Sequence, residues 1–318
     1  MMILGRQQMN KIERVRAILA GKPVDRPAFS FWSPFGRELA SPERMAEAHL
    51  AFFELYDLDL LKVAKDYEYP MPEGLAGVET LEDLKRIGPL ELSRTPMGTH
   101  LKTIEILAKK LKRKALFVDT LFNAWKTLKR TLAKEALPRL MLEHPAEVLD
   151  ALKVINSNLI QYALASLERG AAGIFLTVPA SAETLTEEEY ETFMRPFDVG
   201  LLKILQGKGE CHILHAHGEN LFLDRMLDYH VQVLSWADLN GGPTIDQARQ
   251  KTSLTLMAGI DYVNFPYMSV KKVKEQVRSA LAQAGDTKFI LAPGSALPTY
   301  GFPPLIRAVH DALRENHR

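Results

Sequence analysis

Gly173-Ile174-Phe175-Leu176-Thr177-Val178 is a near-continuous apolar run, the pattern of a strand buried on both faces, as in a parallel sheet covered by helices. Just before it, Pro145 to Arg169 carries apolar residues at helical spacing and closes on Gly170. Just after it, Thr186 with Glu189 three residues on fits a capping box that opens a helix reaching Leu205. The repeating unit is therefore strand then helix. Working outward, β-rich runs recur at Ala28 to Phe31, Leu58 to Ala64, Ala115 to Val118, Cys211 to His215, Val231 to Trp236, Leu254 to Ala258 and Phe289 to Ala292. Ser41-Pro42 signals another helix, extending to Tyr56. Eight such units predict an α/β fold, a single (β/α)8 TIM barrel occupying residues 1–318 as one domain. A doubly wound open sheet is the rival, but no Gly-x-Gly-x-x-Gly turn follows the first strand.

Composition narrows the function classes. Lys plus Arg number 40 and Asp plus Glu 39 among 318 residues, a net charge of +1, so no charge excess points to nucleic acid. Hydrophobic residues at 47% and charged residues at 25% are ordinary globular usage. The one cysteine, Cys211, forbids an intramolecular disulfide and any site built on two thiolates of this chain. With neither a signal-like apolar core near the N-terminus nor an apolar run long enough to span a bilayer, a cytoplasmic protein is expected. The basic run Lys109, Lys110, Lys112, Arg113 and Lys114 reads as a solvated helix end whose cations suit the local dipole.

In a parallel barrel, chemistry gathers where the strands end. The residues there are Trp32, Ser33 and Arg37; Asp66, Tyr67, Glu68 and Tyr69; Asp119, Asn123 and Trp125; His215, His217, Glu219 and Asn220; Trp236, Asp238 and Asn240; Asp261 and Tyr262; and Ser295 with Tyr300. Residues two apart on a strand point the same way, so His215 and His217 can converge on one point. Two imidazoles suit a metal such as zinc, with Glu219, Asp238 or Asp66 adding an oxygen; without metal, they hydrogen-bond substrate or carboxylates. Arg37 can grip a carboxylate or phosphate, or make a rim salt bridge. Asp66 can serve as acid, base or cation stabiliser, or cap a helix. Trp236 and Trp125 either line a ligand pocket or simply pack. No nucleophile elbow surrounds Ser295, which excludes a hydrolase triad.

The segment Glu13 to Pro27, with Lys62 to Asp66, Glu191 to Ile204, Leu234 to Trp236, Met257 to Asp261 and Ala292 to Ser295 in that order, resembles the uroporphyrinogen decarboxylase family, which includes cobalamin-dependent methyltransferases. The resemblance spans nearly the whole chain. It implies that Arg37 keeps one of two arginines that hold a tetrapyrrole's acidic groups, the other having become Ser33. It also implies that Asp66 keeps the aspartate that contacts pyrrole nitrogens, and that Ser295 replaces a histidine. A substrate bearing several carboxylates is then expected to meet few cations. In the methyltransferase branch, His215-Ala216-His217-Gly218 and Gly294-Ser295 fall where the resemblance implies zinc ligands, with imidazole and hydroxyl in place of thiolates.

The expectation is an enzyme, methyltransferase-like, that moves a methyl group between a corrinoid and a small acceptor. In it His215 and His217 hold metal or polarise the acceptor, Asp66 or Glu219 assists as ligand or base, and Arg37, Trp236, Asp238 and Ser295 contact substrate. The cofactors implied are zinc and a corrinoid carried by a partner protein, and the family suggests a homodimer. Decarboxylation of uroporphyrinogen, in which Arg37 binds a carboxylate and Asp66 stabilises a protonated pyrrole without any cofactor, is the alternative. A non-catalytic ligand-binding barrel is the third.

Overall fold

In the computed structural model, which describes residues 8–36, 40–65, 67–285, 287–298 and 303–315, eight strands alternate with helices along the chain. They are β1 (Ala28–Phe29), β2 (Leu60–Val63), β3 (Leu116–Phe122), β4 (Gly173–Val178), β5 (Ile213–Ala216), β6 (Val233–Ser235), β7 (Thr255–Ile260) and β8 (Phe289–Pro293). Spatial order is β1-β8-β7-β6-β5-β4-β3-β2, every pair parallel. The seam between β1 and β2 is bridged at Asp59, whose N–H donates to the Phe29 carbonyl at 3.0 Å while its carboxylate accepts the Phe29 N–H at 3.1 Å. That carboxylate also receives Arg14 and Arg26, each at 2.6 Å. The result is a nearly closed (β/α)8 barrel, as the alternation predicts.

The strands are legible because most of their residues are apolar and buried on both faces: β4 is buried at all six positions. Its first residue must be glycine, since a Cβ on Gly173 would stand 2.0 Å from the Cys211 carbonyl oxygen. The helices Pro42–Tyr56 and Pro145–Glu168 have the expected extents, the second closed by Gly170 at φ +105°. The Thr186 box forms, but the helix expected through Leu205 is two, Glu187–Phe193 and Arg195–Leu205, broken at Met194. Pro196 lacks the N–H and clashes with the preceding turn, so a new helix starts there. β3 runs four residues past the expected Val118, carrying its alternation up to Phe122.

Strand parity sorts the side chains. Leu60, Val118, Phe175, Ile213, Val233, Met257 and Ile290 fill the barrel interior beneath Trp32, in a cluster distinct from the one between sheet and helices. Stepping two residues toward the carboxyl ends gives Lys62, Thr120, Thr177, His215 and Ser235, which top the interior. Residues of the other parity face the helices.

Candidate active site

Above the packed interior lies a cavity of about 300 Å³ lined by Trp32, Ser33, Lys62, Lys65, Phe122, Lys126, Arg130, Phe175, His215, His217 and Ser295 among others. Its chemistry is cationic: two lysines come from the end of β2, and Lys126 with Arg130 come from the turns after β3. Among the described residues, no carboxylate lines this cavity. A larger cleft of about 930 Å³ opens at the barrel's opposite end, but its charges pair with one another, as Arg14 with Asp25 and Asp59, Arg26 with Asp59, and Lys11 with Asp57.

The cations are set against rings. Lys62 Nζ lies 5.6 Å from the Trp32 centroid and 5.1 Å from that of Phe175. Phe122 is shared: Lys126 Nζ stands 4.3 Å from its centroid, Lys65 Nζ 4.9 Å and Arg130 Cζ 5.3 Å. Asn123 places Lys126 by accepting its backbone N–H at 2.8 Å as an N-cap, and Asn123 is itself anchored by donating to buried Asp198 at 3.0 Å. Burial, then the charges of Arg130, Lys62 and Lys65, bring Lys126 down to about 7, so its amine form is well populated at neutral pH. His49 holds the neighbouring wall, with Nδ1 donating to the Met45 carbonyl at 2.8 Å and Nε2 accepting the Ala64 N–H at 2.9 Å.

His215 and His217 do share the mouth. His215 Nδ1 bonds Ser235 Oγ at 3.0 Å, and its ring meets Trp32 edge-on at 6.1 Å. Burial, followed by the charges of His217, Lys126 and Lys62, holds it well below the usual imidazole range. Desolvation, followed by Lys126 and Arg130, lowers His217 as well. Both are therefore neutral imidazoles near pH 7. As zinc ligands the pair fits poorly. Their ring centroids are 6.4 Å apart, whereas tetrahedral sharing at Zn–N bonds of about 2.1 Å would bring them to roughly 5.4 Å. Among the described residues no third His, Cys, Asp or Glu joins them, and a dication would face the lysines and Arg130.

The other expected site residues disperse. Ser295 lines the mouth. Trp236 is fully buried with Nε1 donating to the Pro243 carbonyl at 2.7 Å; parity explains it, since it follows inward Ser235. Asp238 accepts the Gly259 N–H at 2.9 Å and lines a separate cavity with Lys272 and Gln276; burial raises it to about 6. Glu219 is exposed, against Gly241. Asp119 faces the helices, where Tyr162 and Ser166 donate to it. Arg37, Asp66 and Tyr300 lie outside the described residues. The expectation of few cations is overturned by Lys62, Lys65, Lys126 and Arg130. Lys62 lies within the expected strand Leu58 to Ala64 and Lys65 directly follows it, where a lysine carries no mark that separates a mouth cation from a solvated one. Lys126 and Arg130, four apart after the Asn123 cap, carry the helical spacing that would have exposed them.

Comparison with known proteins agrees with this architecture. A family model described as Uroporphyrinogen decarboxylase (URO-D) matches residues 10–316. No curated protein matches. Among solved structures, a methyltransferase from Methanosarcina mazei superposes with a TM-score of 0.83 at 19% identity, covering 98% of this chain and 100% of that one. A B12-independent methionine synthase from a Shewanella species gives 0.63 at 12% identity over 91% of this chain and 96% of that one. At these identities the likeness is one of fold.

Proposed function

The chain belongs to the uroporphyrinogen decarboxylase family, and from that premise we propose that it is an enzyme that takes a small carboxylate-bearing substrate into the barrel mouth and releases CO2 from it. The observation that carries this reading is the cationic lining of a cavity with no described carboxylate. Arg130 can engage a carboxylate through two parallel hydrogen bonds and the lysines act as point charges. Trp32, Phe122 and Phe175 supply an apolar wall; a carboxylate turned toward it loses hydration, whereas the departing CO2 is uncharged and loses little. Lys126 exchanges protons near pH 7, and the neutral imidazole of His217 can accept one. These residues suffice to bind, orient and move a proton, so no step needs zinc. The test is CO2 release from a panel of polycarboxylic acids that includes uroporphyrinogen. Turnover that falls at least about tenfold in Arg130→Met supports the reading; no release from any acid contradicts it.

The second reading is methyl transfer from a corrinoid carried by a partner protein. It draws on the full-length likeness to the Methanosarcina methyltransferase and on two imidazoles held neutral at the mouth, which could deprotonate an acceptor. Demethylation of a methylcobamide that is lost in His217→Ala would favour it over CO2 release.

A further inference from the structure

Loss of CO2 leaves an electron pair on carbon, and some group must accept it. Within the mouth, one amine is held by burial and neighbouring cations below the usual lysine range. Lys126 lines the cavity, its Nζ rests 4.3 Å from the Phe122 ring, and Arg130 and Lys65 stand against the same ring. Among the described residues the charges that act on Lys126 are those of Arg130, Lys62 and Lys65, with no acid to hold a proton on the amine. Burial among these like charges favours the neutral, nucleophilic form of the amine and outweighs the attraction of the Phe122 face for the ammonium.

We propose that Lys126 is a covalent catalyst that forms an imine with the carbonyl of a 3-oxocarboxylate. The proposal rests on the reading that the mouth binds carboxylates. The Nζ lone pair attacks the carbonyl carbon, and the carbonyl's π pair moves to oxygen, which takes up a proton. Loss of water from this carbinolamine gives an iminium. The bond to the carboxylate carbon then breaks, and its electron pair flows into the iminium nitrogen, yielding an enamine and CO2. A proton from solvent or Lys65 adds to the enamine carbon, and water hydrolyses the resulting iminium to a ketone and free Lys126. Overall one proton is consumed and one CO2 released, and the water lost in the first half is regained in the second. Arg130 and Lys62 hold the remaining anionic groups of the substrate.

The experiment is borohydride trapping. Full-length protein is incubated with oxaloacetate at pH 7, reduced with sodium borohydride, digested and analysed by mass spectrometry. The expected product is a reduced adduct on the Lys126 peptide, formed at least about tenfold faster than on any other lysine because an ordinary amine is almost wholly protonated there. The adduct should carry the mass of the decarboxylated keto acid and form faster from fresh oxaloacetate than from pyruvate supplied at the concentration that arises in solution, which shows that CO2 left from the imine. Calorimetric titration with propane-1,2,3-tricarboxylate, which has no ketone, runs in parallel. Tricarboxylate binding without preferential Lys126 labelling overturns the imine and leaves the carboxylate reading standing. Absence of both overturns both. Because labelling is located in the wild-type chain, the outcome does not depend on whether Lys126→Met folds.

Discussion

Lys126 Nζ stands 4.3 Å from the centre of the Phe122 ring, at the top of the strand that carries Asp119 and Thr120 inside the barrel wall. The ring face attracts the ammonium, yet burial, followed by the like charges of Arg130, Lys62 and Lys65, brings Lys126 down to about 7. Arg130→Met removes the first of those charges and should raise it. The check is the pH dependence of Lys126 reductive methylation followed by NMR; an unchanged or lowered value would show that Arg130 does not act on the amine.

Asp59 is the rivet of the barrel seam, accepting Arg14, Arg26 and the Phe29 N–H with no exposure to solvent. Asp59→Ala leaves the Arg26 guanidinium buried without its carboxylate and Arg14 with Asp25 alone, and should cost about 3–5 kcal/mol of stability. Chemical denaturation measures it, and a loss of less than about 1 kcal/mol would mean that the seam is held by other contacts.

His49 gives a signed pH dependence. Burial lowers its pKa from 6.5 to about 4, so between those values the unfolded chain binds the proton and the folded one does not. This contribution to stability is present above pH 6.5 and is lost as pH falls toward 4, amounting to about 3 kcal/mol at most. His49→Gln removes the titrating group, so its stability should vary less steeply with pH across that window. Parallel curves for the two proteins would contradict the assignment.

The sequence made the barrel legible because strands buried on both faces leave an unbroken apolar trace, seen most plainly at Gly173 to Val178. His215, His217 and Ser295 were found at the mouth by the same logic of strand ends. Trp236 and Asp238 were not separable from them, since a one-residue change of parity or a loop turn moves a side chain from the interior to the helix layer. The cations escaped for a related reason: Lys126 and Arg130 belong to the helical turns beyond the strand end, and only the three-dimensional return of those turns over Phe122 makes them one group with Lys62 and Lys65.

The imidazole pair should not retain zinc. Protein purified without a histidine tag, offered zinc and desalted is expected to carry well below one equivalent, because His215 and His217 share the mouth with cations and, among the described residues, no further ligand. Elemental analysis decides it. A full equivalent that disappears in His215→Ala would restore a metal centre.

The most direct test is calorimetric binding of propane-1,2,3-tricarboxylate at low ionic strength to the wild type and to Lys62→Met, Arg130→Met and the double variant. Each single change should weaken binding by about tenfold, the double change should weaken it further, and added salt should weaken what remains. A wild type that ignores the tricarboxylate, or a double variant that binds it equally well, would contradict a mouth built for anions.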